Sequence, residues 1–332
     1  MKALIIKPTA LGDVAQALLV IPTLKERSYC DHLAWIVDED YVPLLESCPL
    51  IDQIISFPRK RWQKSLPLGE ILDWSRKLRT YQFDLVLDLQ GLARSGLMTW
   101  ATGAKKRLGL ASARELSHLA YHETIQDTQK HAINRYHGAI RHLMGSKTPL
   151  KRHHLKPPAI KQSKLSELDG YIVIHPYSNW QTKLWPWRNY EQVVRAFPKE
   201  NFILIGKGSF FPCKADNIQD LRGRTSICEL IEILANAKLV LSTDSGPTHI
   251  AALYNRPIIT LFGATDAHKT SPSATKTRCL SAQLKCQPCL NRSCKEHRPM
   301  ACMENIDIRD VTTLISQFVE IPENSPTSTQ MS

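Results

Sequence analysis

At 332 residues the chain is long enough for two domains with separate cores, and 43% hydrophobic against 22% charged side chains is the make-up of a globular protein. No run of eighteen apolar residues occurs, which excludes a bilayer-spanning helix. The formal net charge of +12 calls for an anionic partner. Its basic clusters are short (Arg59-Lys60-Arg61, Lys105-Lys106-Arg107, Lys151-Arg152-His153-His154), and neither a zinc finger nor an RNP-type aromatic motif accompanies them. That turns the expectation from nucleic acid toward a membrane surface or a phosphate-bearing substrate.

The opening MKALIIKPTALGD has one lysine, a short apolar run and no small-residue cleavage site. It predicts a first strand over 3–6 rather than a signal peptide, and so cytoplasmic residence. A turn at 8–13 leads into a helical apolar stripe over 14–24, which places Asp13 at the first helix's N-terminus. Asp caps helices well, and there it also faces the ligand crevice of a parallel sheet, as a carboxylate base would. A strand over 32–37 ends at Asp38-Glu39-Asp40, a helix follows at Val42–Glu46, and 51–57 forms a further strand. Residues 57–64, Phe-Pro-Arg-Lys-Arg-Trp-Gln-Lys, are expected as a basic loop, a solvated run that can also reach a phosphorylated acceptor. After a helix over 70–79, the buried-type strand 84–89 ends in the glycine turn Gln90-Gly91-Leu92-Ala93-Arg94-Ser95. A strand over 105–110 and a helix over Ala132–Met144, closed by Gly145, complete an alternating series. Such alternation predicts a doubly wound α/β domain over 1–150.

Residues 146–165 are rich in Lys, His and Pro without apolar periodicity and form the expected linker. A second alternating series over 166–320 contains strands at 171–175 and 201–205, a helix over 227–235, and the unit KLVLSTDSGPTHIAALYNRPIITLFGATD at 238–266. That unit is strand–turn–helix–strand–turn with Gly246 and Gly263 in its two strand-to-helix turns, and both turns emerge at the sheet's carboxyl edge. Gly246 lets backbone amides approach a ligand, and the helix N-terminus behind it suits a phosphate. Asp244 and Thr248 can cap that helix. Asp244 can also accept sugar hydroxyls, and His249 can donate to a phosphate oxygen. Lys183, before the Trp185-Pro186 that opens a helix, is a fitting point charge for a diphosphate.

Five of the nine cysteines fall in 279–302. Cys286, Cys289, Cys294 and Cys302 could supply four thiolates to a structural zinc or iron–sulfur cluster, or be reduced structural thiols. A closing helix is expected over 306–319. Residues 321–332, rich in Ser, Thr and Pro, read as a disordered tail.

Taken together, the turns resemble the heptosyltransferase family of ADP-heptose-using glycosyltransferases, closest to the lipopolysaccharide heptosyltransferase I branch. The residues that carry this are Gly12-Asp13, Lys183-x-Trp185-Pro186, Thr243-Asp244-Ser245-Gly246-Pro247-Thr248-His249 and Phe262-Gly263-Ala264-Thr265-Asp266, with the Arg59–Lys64 loop and the Asp88-to-Ser95 turn. The resemblance implies a GT-B fold, two Rossmann-like doubly wound domains facing each other across a cleft. It implies inverting transfer of heptose from ADP-L-glycero-D-manno-heptose to Kdo–lipid A, at the cytoplasmic face of the inner membrane and in contact with its anionic surface. In that scheme Asp13 is the base, and Ser178, Asn179, Lys183, Asp244, Ser245, Gly246, Thr248 and His249 hold the donor. Arg59, Arg61, Lys64, Gln90 and Arg94 hold the acceptor.

No Asp-x-Asp motif stands in either domain's ligand turns, Asp38-Glu-Asp40 being the nearest string, so no catalytic metal or other cofactor is expected. The family's ribose-gripping acid after residues 205–206 is replaced by Lys207-Gly208-Ser209. A related glycosyltransferase with another nucleotide sugar or acceptor therefore fits the residues as well. A nucleotide-sugar-binding module that has lost catalysis is the third reading, and the intact Asp13 argues against it.

Overall fold

Apolar runs with no polar face are what a strand covered on both sides requires, and those at 3–6, 33–37 and 85–87 form the centre of a parallel sheet. In this computed structural model, residues 1–145, 147–159, 161, 170–208, 215–297 and 299–319 are described. The chain divides into two units, Met1–Lys156 and Pro157–Ser332. The expected tail, residues 146, 160 and 162–165 of the expected linker, and Ser209 lie outside the described residues.

Unit 1 runs β1 (Lys2–Ile6), α1 (Leu11–Leu18), α2 (Thr23–Glu26), β2 (His32–Asp38), α3 (Val42–Glu46), β3 (Gln53–Phe57), α4 (Arg59–Ser65), α5 (Leu68–Thr80), β4 (Leu85–Asp88), α6 (Ala93–Ala101), β5 (Lys106–Leu110), β6 (Glu123–Ile125) and α7 (Ala132–Met144). The strands pair in parallel in the order β3-β2-β1-β4-β5-β6. Unit 2 repeats the plan with β7 (Ile172–His175), α8 (Trp187–Ala196), β8 (Phe202–Leu204), β9 (Ile218–Asp220), α9 (Ile227–Ala235), β10 (Leu239–Thr243), α10 (Gly246–Leu253), β11 (Ile258–Leu261), α11 (Ala267–Thr270), β12 (Thr277–Leu280), α12 (Ala301–Glu304) and α13 (Ile308–Val319). Its order is β12-β11-β10-β7-β8-β9. Strand order therefore reverses between β1 and β4 in one sheet and between β7 and β10 in the other. At such switch points the connections diverge and leave a crevice at the carboxyl edge.

Two expectations need correction. Residues 57–64 are not a loop: Arg59–Ser65 is a helix, stopped by Leu66 in the left-handed region (φ 43°, ψ 56°). Arg, Lys and Gln are good helix formers. Trp62 also anchors the segment: it is buried, 5.6 Å edge-on to Trp74 and 5.7 Å from Phe57, and its Nε1 donates to Glu70 at 3.1 Å. The 14–24 stripe is two helices, because Pro22 has no N–H to continue α1 and instead opens α2. The short strands β6, β9 and β12 were not anticipated; at three or four residues each, two of them without a fully buried position, they leave too brief a pattern to read.

Candidate functional site

In unit 1 the switch point gathers Asp13, Lys7 and Gln90. Asp13 sits in the first turn of α1, where its carboxylate is 3.4 Å from the Ala10 amide and 3.4 Å from Lys7 Nζ. The carboxylate is 43% exposed and the lysine only 5%. Burial opposes the Lys7 charge, but Tyr136 and Asp13 outweigh it, and the ammonium is held above its ordinary pKa. Burial in turn raises the pKa of the Tyr136 phenol. Lys7 thus stands behind Asp13 and leaves the outer oxygen to solvent. Gln90 Oε1 accepts from the Thr9 amide at 3.2 Å and tethers the β4 turn to the β1 turn. That turn is shaped by Asp88, whose Oδ1 accepts from the amides of Gln90 (2.8 Å) and Gly91 (3.1 Å) while Oδ2 accepts from Tyr121 (2.7 Å). Burial pushes the Asp88 carboxyl up against these bonds.

Arg59 and Arg94 line one apolar pocket of about 310 Å³ between α4, α5 and α6, floored by Phe57, Trp62 and Trp74. Arg59 is fixed by the wholly buried Asp38 at the end of β2. Arg94 lies 5.6 Å over the Phe57 ring, and its buried Nε has no hydrogen-bond partner. Burial, then the charge of Arg59, lowers its pKa. An oxyanion would relieve both. Arg61 instead forms a fork with Glu70, and Lys64 is exposed; neither lines this pocket. Both aspartates of the Asp38-Glu-Asp40 string are engaged by α4, Asp38 by Arg59 and Asp40 by Lys60.

In unit 2 the β7 and β10 turns bring Lys183 and Asp244 together. Lys183 Nζ lies 2.7 Å from Asp244 Oδ2 and 3.3 Å from its carbonyl oxygen, with the two side chains 14% and 7% exposed. The ammonium also sits 4.8 Å over the Trp180 ring. Asp244 is therefore not a helix cap. Ser245 is the N-cap of α10, with extended backbone and no side-chain bond to the helix amides. Its hydroxyl turns away to His175 Nδ1 (3.1 Å) and Ser242 (3.1 Å). The Ser245 side chain thus caps no amide at the start of α10, where Pro247 has no N–H and the Thr248 amide donates to the Ser245 carbonyl at 3.3 Å.

Burial lowers the His175 pKa to about 4, so its ring is neutral and locks these two serines. Thr248 is buried, its hydroxyl donating to the Ser245 carbonyl at 2.7 Å, and His249 is buried in α10. Ser178 accepts from the Trp180 amide at 3.3 Å, and Asn179 is exposed beside it. Gly263 is required by close approach: a Cβ there would meet the Thr182 carbonyl oxygen at 2.3 Å and Met303 Sδ at 2.6 Å. Its lack of a side chain lets the Lys183 turn seat on β11. The sequence does not reveal the parts played by Lys7, Asp38 and His175. Each is a polar residue at the end of an apolar strand, a place where burial without a partner is costly and a role is therefore expected.

The four cysteines line one cavity of about 290 Å³ with Thr182, Lys295 and His297. All cysteines among the described residues are free thiols. No group of three or more His, Cys, Asp or Glu among the described residues is arranged to hold a metal ion.

Residues 71–299 match the family model of glycosyltransferase family 9 (heptosyltransferase). The chain belongs to that family. It is 27% identical over 302 residues to lipopolysaccharide heptosyltransferase 1 of Campylobacter coli, covering 82% of this chain and 86% of the relative. It is 24% identical over 359 aligned positions to the Pseudomonas aeruginosa protein of the same name, covering 97% and 99%. Among solved structures, E. coli heptosyltransferase WaaC with ADP superposes with a TM-score of 0.76 at 21% identity, over 96% of this chain and all of that one. The chain is thus a family 9 (heptosyltransferase) glycosyltransferase with the GT-B class of fold. No helix among its described residues is long and apolar enough to cross a membrane.

Proposed function

We propose that the enzyme transfers heptose, with inversion, from ADP-L-glycero-D-manno-heptose to a Kdo–lipid A acceptor at the cytoplasmic face of the inner membrane. The observation that carries the donor half is the Lys183–Asp244 pair at the β7/β10 switch point, beside a helix N-terminus that no side chain caps. Lys183 and the α10 amides at Gly246 take the diphosphate, exchanging the Asp244 contact for the ligand's charge. Ser178, Asn179 and Ser245 meet phosphate or ribose, Asp244 meets the heptose hydroxyls, and the buried Thr248 and His249 hold the turn in shape. On unit 1, Asp13 takes the proton from the acceptor hydroxyl as its oxygen attacks the anomeric carbon and the bond to the diphosphate breaks. Lys183 and the amide donors stabilise the charge that collects on the leaving ADP. Arg59 and Arg94 read the acceptor's carboxylates and phosphates through their planar forks, with Gln90 at the turn between them and Asp13. Arg61 and Lys64 add only to the surrounding positive field.

Purified enzyme incubated with ADP-heptose and a Kdo–lipid A fragment should yield acceptor heavier by one heptose, with ADP released only when acceptor is present. ADP release that ignores the acceptor would refute the assignment. Faster transfer from another nucleotide sugar would move the enzyme to a different donor, the outcome that Lys207 in place of a ribose-gripping acid makes worth testing.

A further inference from the structure

Single exposed leucines are ordinary on a protein surface, but a contiguous set is not. In unit 1 Leu97 (68% exposed), Trp100 (61%), Leu116 (69%) and Leu119 (73%) line one open groove of about 410 Å³ between α6 and the 3₁₀ turn Ser117–Ala120. The groove exists because Gly96 lets that turn seat on α6: a Cβ there would meet the Ser117 Cα at 2.9 Å. Leu97 and Trp100 are one turn apart on α6, and Leu116 and Leu119 are spaced alike across from them. Leu97 also forms part of the pocket that holds Arg59 and Arg94, so the two hollows adjoin, with Leu66 (64% exposed) on the far wall.

The charge around this apolar strip is net positive. Residues 1–156 hold 23 Lys and Arg against 15 Asp and Glu, which puts 8 of the chain's +12 on this unit. Exposed Arg114 and His118 interleave with Leu116 and Leu119, Lys105 and Lys106 follow the end of α6, and α4 carries Lys64 up to Leu66, with Lys60, Arg61 and Lys106 held in exposed pairs by Asp40, Glu70 and Glu123. The groove's one acid, Glu115, is engaged by the Ala93 amide at 3.1 Å. Leucines and a tryptophan flanked by cations are what an interfacial membrane anchor presents, the apolar groups entering the headgroup–acyl boundary and the cations meeting lipid phosphates.

We propose that this face of unit 1 seats the enzyme on an anionic lipid leaflet through Leu97, Trp100, Leu116 and Leu119. The proposal rests on the reading that the acceptor is lipid-borne only for its purpose; the contact itself is tested without substrate. The full chain should co-sediment with vesicles of phosphatidylcholine containing about one-third phosphatidylglycerol and at least about tenfold less with phosphatidylcholine alone, and added salt should release it. Leu97→Ser/Leu119→Ser should weaken binding to the anionic vesicles at least about tenfold while keeping the wild-type melting temperature, because both side chains are largely exposed. Leu290→Ser, an exposed leucine of unit 2, should bind as wild type does.

Equal binding by the double variant and wild type would overturn the proposal. So would a wild-type dimer that the double variant dissolves without any vesicle binding, which would give the groove to a second copy of the chain. Transfer of heptose to an acyl-free, water-soluble acceptor separates the two readings. Vesicle binding lost in the variant supports the docking face even where no heptose is transferred. Transfer without vesicle binding overturns the docking face and leaves the substrate reading standing.

Discussion

Each unit carries a lysine–carboxylate pair at its sheet's switch point, and the two pairs are built oppositely. In unit 1 the lysine is buried and the carboxylate faces out; Lys7 and Asp13 are 3.4 Å apart with exposures of 5% and 43%. In unit 2 the pair is tighter, 2.7 Å between Lys183 and Asp244, and both partners are nearly covered, at 14% and 7%. A carboxylate that keeps a wet oxygen can take a proton from an incoming hydroxyl. A lysine held in a dry fold by its carboxylate is a charge kept in place for an anionic ligand. On the proposed reading the same two residue types serve a base in one sheet and a phosphate grip in the other, and burial decides which.

The most severe test of that contrast is Asp13→Asn, which keeps the side chain's shape and removes its basicity. It should lower kcat by about 10²–10⁴-fold with donor KM unchanged, the scale of a lost general base. Retention of more than half the wild-type kcat would mean another base. Next is Lys183→Met, expected to lower kcat/KM by about 10²–10³-fold, as loss of a charge-stabilising donor does. It also strands Asp244 in a dry site and should cost about 3 kcal/mol of unfolding free energy. Adding Asp244→Asn should recover most of the stability and none of the activity. Lys7→Met leaves Asp13 able to rehydrate and should cost no more than about 1 kcal/mol. If the two lysine variants were equally destabilised, the difference in burial would not be functional.

The dryness of unit 2 has a pH signature. His175 titrates at 6.5 when unfolded and at about 4 when folded. The unfolded chain then binds more protons between those values, so this contribution is complete above pH 6.5 and is lost as pH falls toward 4, on the order of 3 kcal/mol in all. His175→Gln should flatten the fall in unfolding midpoint across that window relative to wild type. A parallel fall in both proteins would show that the ring is hydrated.

What the sequence made legible follows from how each feature is encoded. The long apolar strands and the glycine turns are local signals, and with them came the α/β class, the helix at Ala132–Met144 and the edge positions of Asp13, Lys183 and Asp244. Pairings are not local. Nothing in the spacing of residues 38 and 59 announces that Asp38 holds Arg59, or that Glu70 draws Arg61 aside. The α4 segment reads as a loop in sequence because four cations in six residues mask the one buried Trp62 that makes it a helix. His175 stayed invisible because a histidine at a strand end reads alike whether wet or dry, and only the packing of Ser242 and Ser245 around it settles the matter.

The smallest expected effect separates basic residues that the sequence treats alike. Arg94 and Arg61 belong to the same acceptor set expected from the sequence, yet Arg94 has a buried Nε without a partner and Arg61 spends its fork on Glu70. An acceptor oxyanion reaching Arg94 satisfies a donor that is otherwise stranded, whereas one reaching Arg61 must first displace a carboxylate. Arg94→Ala should therefore raise the acceptor KM about tenfold, the scale of one charge-assisted hydrogen bond, with donor KM unmoved. Arg94→Lys should recover only part, because an ammonium keeps the charge and loses the fork. Arg61→Ala should stay within about twofold of wild type, as removal of an exposed ion pair does. Equal losses at the two arginines would mean that the acceptor pulls Arg61 away from Glu70, and that the pocket shared by Arg59 and Arg94 is only part of a wider basic surface.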